Sequence, residues 1–146
     1  MKICIFGGTF DPPHIGHLLV AQTVCEAENF DKILFMPANK PPHKKNISGV
    51  KDRLNMLNIA IEGNPNFEIS DMEIKRGGVS YTIETLKTMK SSVIKEDDEL
   101  FYLIGSDSLL ELDTWKKPRE ILNNCNVLVA IRPGFRPSDI PAWILH

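Results

Sequence analysis

The sequence predicts an α/β fold: a doubly wound parallel sheet with helices on both faces. Three observations carry this expectation. Short apolar runs alternate with stretches of helical periodicity along the 146 residues, the pattern of βαβ units. A glycine pair, Gly7-Gly8, directly follows the first apolar run. The motifs rich in Gly, His, Ser and Asp each follow an expected strand or open an expected helix. Ligands bind at those places in open α/β sheets.

Lys2–Phe6 reads as a buried strand and Ile15–Asn29 as a helix carrying Leu18, Leu19, Ala21, Val24 and Cys25. Lys32–Met36 is a second strand, closed by Pro37. Lys40–Gly49 is a basic, proline-rich loop. In the helix expected over Val50–Glu62, the apolar stripe turns Leu54, Leu57 and Ile61 inward and leaves Arg53 and Asn55 outward. Phe67–Ser70 is a short strand. Ser80 or Thr82 opens a helix running towards Met89. Leu100–Ile104 is a strand, Pro118–Asn123 a helix and Val127–Ile131 a strand. Pro133-Gly134-Phe135-Arg136-Pro137 ends regular structure.

The length fits one domain over residues 1–146, and a chain of this size buries roughly two-thirds of its unfolded surface. Hydrophobic content of 42% and charged content of 25% are ordinary for a globular protein. A net charge of −2 gives no general attraction to nucleic acid or an anionic membrane. Any anion site must therefore be local. No apolar stretch approaches the ~20 residues that span a bilayer. Met1-Lys2-Ile3-Cys4 enters a strand directly, without a cleavable signal, so a cytoplasmic protein is expected. Cys4, Cys25 and Cys125 are odd in number and far apart, which reads as reduced thiols.

His14-Ile15-Gly16-His17 is the most informative stretch. Strand, glycine turn and helix start together hold a nucleotide phosphate, because backbone N–H groups and the positive end of the helix dipole face the anion. Gly7, Gly8, Thr9 and Phe10 form the turn of that cradle. Two imidazoles add side-chain donors, and Gly16 removes a Cβ where a nucleotide would press against backbone. Other readings of the parts are a plain tight turn, a core histidine, or a pair of metal ligands on one helix face. Zinc would need a third ligand, and no Asp, Glu or Cys stands at a fixed helical spacing beside the pair. No protein-bound metal is therefore expected.

Lys40, His43, Lys44 and Lys45 form the only dense basic cluster, either a solvated loop or part of the anion site. Arg132 is a surface charge or a phosphate clamp, a task that suits a guanidinium. Asp107, after Gly105 at a strand end, is placed to accept from ribose hydroxyls or to cap the helix that begins there. Trp115 lies among polar neighbours, Asp113-Thr114-Trp115-Lys116, although a core tryptophan is the commonest alternative reading.

The string Gly7-Gly8-Thr9-Phe10-Asp11-Pro12-Pro13-His14-Ile15-Gly16-His17 resembles the signature of the nucleotidyltransferases that share His-x-Gly-His with class I aminoacyl-tRNA synthetases. Pro37-Ala38-Asn39-Lys40-Pro41-Pro42-His43-Lys44, Gly78-Val79-Ser80-Tyr81-Thr82-Ile83-Glu84-Thr85-Leu86 and Ile104-Gly105-Ser106-Asp107-Ser108-Leu109 through Trp115 follow in order. Their order and approximate spacing are similar to those of bacterial nicotinate-nucleotide adenylyltransferases, over residues 1 to about 132.

That resemblance implies a Rossmann-like fold and transfer of the adenylyl group of ATP to nicotinate mononucleotide, giving deamido-NAD and pyrophosphate. Mg2+ would arrive with ATP and bridge the leaving phosphates. His14 and His17 would donate to the ATP phosphates, and Lys44 would stand near the reacting ones. Trp115 would stack on the nicotinate ring, and Thr82 at a helix start would hold the ring's carboxylate. No nucleic acid or membrane partner is implied, and a homo-oligomer is compatible with the sequence. The family's Ile-Ser-x-x-x-x-Arg motif has no counterpart in Pro133–His146, whose only serine is Ser138. The C-terminal part is thus expected to be missing or diverged. Two rival readings follow. One is a phosphopantetheine adenylyltransferase, which shares the first motif but is opposed by Ser80-Tyr81-Thr82 and Trp115. The other is a non-catalytic nucleotide-binding module.

Overall fold

The computed structural model describes residues 1–145. Strands β1 (Lys2–Gly8), β2 (Lys32–Pro37), β3 (Phe67–Ile69), β4 (Glu99–Gly105) and β5 (Asn126–Ala130) form one sheet. Its order is β3-β2-β1-β4-β5, and every neighbouring pair is parallel. Helices α1 (Ile15–Glu28), α2 (Val50–Ile61), α3 (Met72–Arg76), α4 (Thr82–Ser92), α5 (Ser106–Leu110) and α6 (Pro118–Asn124) connect the strands. The order reverses beside β1, so a crevice opens between the carboxyl ends of β1 and β4.

Period-two alternation assigns the strand side chains to two cores. On one face Ile3, Ile5, Leu34, Met36, Leu100, Tyr102 and Ile104 pack with Ile83, Leu86 and Met89 of α4, Leu109 of α5 and Ile121 of α6. On the other, Cys4, Ile33, Phe35, Phe67 and Leu103 meet Ala21 and Cys25 of α1 and Leu57 and Ile61 of α2. Burial on both faces is why the strands read as unbroken apolar runs. Burial also pushes the Cys4 thiol up to about 12 and the Cys125 thiol up to about 11. Beyond β5 the described residues form a turn at Pro133-Gly134 and two 3-10 turns, Pro137–Asp139 and Ala142–Leu145. Phe135, Ile140 and Trp143 nevertheless pack against the first core. No helix among the described residues is long and apolar enough to cross a membrane.

The strands and long helices lie close to their expected bounds, with two corrections. The five-residue helix α3 occupies a stretch where the sequence suggested none. Arg53, expected outward, is 1% exposed, and Arg53, Leu57 and Ile61 share the buried face of α2. Leu54, expected inward, is only half-buried.

Backbone carbonyls explain the inward arginine. Arg53 Nε donates to Ser48 O at 3.0 Å, Nη1 to Thr9 O at 3.1 Å and Ala38 O at 2.6 Å, and Nη2 to Asn39 O at 3.3 Å. One guanidinium therefore ties the loop after β1, the loop after β2 and the approach to α2. Asp11 reinforces the tie by accepting the Ser48 N–H at 2.7 Å, and that bond holds its carboxyl below the usual range. Asn39 N–H donates to Ser80 Oγ at 2.9 Å and Ser80 N–H to Lys40 O at 2.8 Å, so the approach to α4 joins the same assembly.

Replacing Arg53 by Met keeps the stem but strands four carbonyls. Each buried polar group left unsatisfied costs about 1–3 kcal/mol, partly relieved by water. Arg53→Met should therefore lower unfolding free energy by about 3 kcal/mol. Urea unfolding should show a lower midpoint at an unchanged m-value.

Candidate active site

Helix α1 begins at the carboxyl end of β1, and His14 is its N-cap, in extended conformation at φ −137°. His14 Nδ1 accepts the Gly16 N–H at 3.1 Å, while His17 Nδ1 accepts the His14 N–H at 3.0 Å. Both Nδ1 atoms are thus acceptors, and each neutral ring carries its proton on Nε2. The rings stack with centroids 3.8 Å apart and planes 23° from parallel. Behind them Phe10 and Phe6 meet His17 edge-on at 5.2 and 6.0 Å. Burial first, then the nearness of His14 and of the Lys44 ammonium, holds the His17 pKa below its ordinary value. The result is a stacked pair of imidazoles at a helix N-terminus, each with its Nδ1 taken by a backbone N–H.

A cavity of about 500 Å³ lies between the loop after β2, the start of α4 and the segment after α5, walled by Lys44, Tyr81, Thr82, Trp115 and Lys116 among others. A second, of about 310 Å³, shares Pro41, Pro42, Lys44, Ser80, Thr82, Ser108 and Trp115 with it and reaches Gly7, Gly8 and Thr9 of the first turn and Gly105 of β4. The two join across the crevice between β1 and β4. Trp115 is half-buried and stands edge-on to Tyr102 at 6.5 Å. It belongs to the cavity wall and to the margin of the core at once. Helix α4 has Tyr81 as its N-cap, with no side chain capping its first N–H groups. Lys116 Nζ bonds Glu84 Oε1 at 2.8 Å and lies 4.5 Å from the centre of the Tyr81 ring, bracing that wall.

Of the residues singled out in the sequence, Gly7, Gly8, Thr9, Lys44, Thr82, Gly105 and Trp115 line these joined cavities. The imidazoles, Asp107 and Arg132 are not among the lining residues. Phe10 is 3% exposed and packs against His17, so its ring supports the site from behind. Asp107 does not cap α5, because Gly105 is the N-cap. Its Oδ2 instead accepts Arg132 Nη1 at 3.0 Å, a pairing the sequence did not suggest. The glycine expected to admit a nucleotide beside the imidazoles has a nearer reason. A Cβ on Gly16 would lie 2.8 Å from His14 Cε1, so its hydrogen makes room for the capping ring. A Cβ on Gly7 would strike the Tyr102 hydroxyl. At Gly105 such an atom would meet nothing within 4 Å, leaving that backbone open to a ligand.

Arg53, Glu73, Tyr102 and Lys116 were not foreseen in this region. The spacing of Arg53, Leu57 and Ile61 at i, i+4 and i+8 was the available signal for the first. The others contact the site only through tertiary packing.

The His17 geometry has a titration signature. Its NMR midpoint should fall below the ordinary 6.5, and Lys44→Ala should recover only part of the shift, since burial is the largest cause. A depressed folded-state pKa adds stability that is complete above about 6.5 and is lost as pH falls through the folded midpoint.

A family model described as cytidylyltransferase-like matches residues 5–145, past the last quoted motif. The chain is 46% identical over 131 residues to a probable nicotinate-nucleotide adenylyltransferase of Aquifex aeolicus, covering 89% of this chain and 77% of that one. It is 44% identical over 135 residues to the probable enzyme of the same name from Desulfatibacillum aliphaticivorans, covering 91% and 61%. The fold is shared with Plasmodium falciparum nicotinic acid mononucleotide adenylyltransferase complexed with APC, at a TM-score of 0.80 and 21% identity, over 99% of this chain and 69% of that one. This chain thus spans between 61% and 77% of the length of these relatives. With the strand order, the glycine turn and the imidazole-capped helix in agreement, the chain belongs to the cytidylyltransferase-like family, among the nicotinate-nucleotide adenylyltransferases.

Proposed function

We propose that this chain transfers the adenylyl group of ATP to nicotinate mononucleotide, releasing pyrophosphate and forming deamido-NAD. One observation carries the reading: helix α1, capped by His14 and His17, opens just after the Gly7–Thr9 turn that borders a tryptophan-walled cavity at the β1–β4 crevice. ATP lays its phosphates along the turn Gly7–Thr9 and the start of α1, where Nε2–H of His14 and His17 donate. The mononucleotide lies in the joined cavities with its ring against Trp115 and its carboxylate at the uncapped start of α4. A phosphate oxygen of the mononucleotide attacks the ATP α-phosphorus. The new P–O bond forms as the α–β bridge breaks, and its electron pair leaves with pyrophosphate.

Such a step needs little proton transfer, because the attacking phosphate is already ionised. Positioning and electrostatic stabilisation supply the rate. Lys44 brings positive charge to the shared wall of the two cavities. Asp107 and Arg132 serve as acceptor for ribose hydroxyls and clamp for a phosphate. The cradle offers N–H and ammonium donors, which engage phosphate oxygens, so a magnesium ion would be held by the phosphates themselves and, when bound, would neutralise charge on the pyrophosphate.

Pyrophosphate release with the acid and amide mononucleotides tests this reading. The acid should be turned over with much higher kcat/KM, because a site built for an anion rejects a mismatched polar group by several kcal/mol. Comparable values for the two would refute it, and uptake of mononucleotide without pyrophosphate would identify a binding module. His17→Ala should cost roughly 10²–10³ in kcat with the fold intact, the usual loss for one preorganised donor.

Trp115→Ala separates ring binding from phosphate binding. An aromatic stack contributes about 0.5–1.5 kcal/mol beyond area burial. Calorimetry should show weaker mononucleotide binding, nearly unchanged ATP binding and a small drop in melting temperature. A large drop with unchanged mononucleotide affinity would assign Trp115 to the core alone.

A further inference from the structure

Glu73 is the only acidic residue lining the smaller cavity among the described residues, and the proposed reaction gives it no task. It is 5% exposed, on the short helix α3. Its Oε2 accepts the Thr85 hydroxyl at 2.7 Å, and Thr85 Oγ1 in turn accepts Arg76 Nη1 at 3.1 Å. Ser80, whose hydroxyl accepts the Asn39 N–H at 2.9 Å, stands near enough to help lower the Glu73 carboxyl. That carboxyl therefore ties α3 to the first turn of α4.

Its surroundings link that junction to the cavity. Burial pushes the Glu73 carboxyl up, and the Thr85 hydroxyl and the Arg76 charge pull it partly back. Near it stands Tyr102, whose hydroxyl fills the space under Gly7. Ser80, Thr82 and Tyr102 line the same cavity as Glu73. A buried carboxyl is a poor source of stability, since desolvation offsets what its partners return. A carboxyl that lines a binding cavity and is held by a hydroxyl in the first turn of α4, the helix that Thr82 of the same cavity opens, is better explained by the geometry it enforces.

We propose that Glu73 is a positioning residue for the mononucleotide, which fixes the start of α4 and Thr82 relative to Trp115. It sets where the ring's carboxylate sits and does not touch the reacting phosphates. This rests on the adenylyl-transfer reading of the site.

Three variants of the full chain test it, with calorimetric affinities for nicotinate mononucleotide and for ATP measured separately. Thr85→Val cuts one link and leaves the charges in place. Glu73→Gln keeps an acceptor oxygen, and Glu73→Ala removes both. Thr85→Val and Glu73→Ala should each weaken mononucleotide binding about tenfold, the scale of one lost hydrogen bond to a charged group. Glu73→Gln should fall between Glu73→Ala and the parent. ATP affinity should stay within about twofold in all three, and kcat at saturation should change less than KM, as loss of uniform binding requires. Lower melting temperatures with unchanged mononucleotide affinity, or equal losses for both ligands, would overturn the proposal. If the parent chain binds mononucleotide but releases no pyrophosphate, adenylyl transfer fails while these affinities still decide the role of Glu73. A parent chain that binds no mononucleotide overturns both.

Discussion

The carboxyl ends of β1 and β2 depend on one buried guanidinium. Loops usually stay at the surface because water satisfies their polar backbone. Here Thr9, Ala38 and Asn39 turn carbonyls inward, and Arg53 meets them with Ser48 in a single fork. A lysine could not do this, since its ammonium lacks the planar array of donors. The charge is taken into the interior with Asp11 as its nearby acid, and Asp11 pins the Ser48 turn that Arg53 also holds. With those carbonyls spoken for, Gly7, Gly8 and Thr9 can border the cavity without collapsing into it.

The same economy of backbone groups determines the chemistry of the imidazoles. In the capping arrangement each Nδ1 accepts a main-chain N–H, which leaves Nε2 for the donor role proposed for the rings. Burial of His17 favours its uncharged form, which suits donation rather than proton exchange. Gly16 belongs to this arrangement because any larger residue would push the His14 ring off its cap. Two of the glycines that look made for a nucleotide are thus required by the protein's own side chains. Gly105 is the one with open space in front of it.

Much of the fold was legible because parallel strands covered on both faces must be apolar throughout, and the turns between them carry Gly, Pro and polar residues. The first turn and α1 were legible for a related reason, since their roles are local and leave a contiguous string. What escaped was long-range or masked by chemistry. Arg53 carries the apolar spacing of α2 but reads as surface because its partners are carbonyls from three other segments. Helix α3 has five residues, too few for periodicity to show. The role proposed for Glu73 rests on Thr85, which no local pattern attaches to it. Asp107 and Arg132 were each noticed, yet their pairing arises only when β4 and β5 lie side by side.

That pairing bears on how the far edge of the crevice can work. Asp107 and Arg132 have side chains 67% and 77% exposed, so water screens their attraction and the bridge is weak. The position of Arg132 rests instead on its backbone, whose N–H donates to the buried Ser106 hydroxyl at 3.1 Å. The guanidinium and the carboxylate can therefore separate without disturbing β5 or α5. An arginine anchored by its main chain and loosely held by an acid can exchange that acid for a phosphate, a stronger bidentate partner. Asp107 is freed by the same exchange to accept from a hydroxyl. The two roles proposed for these residues are compatible with the observed ion pair because the pair supports none of the structure around it.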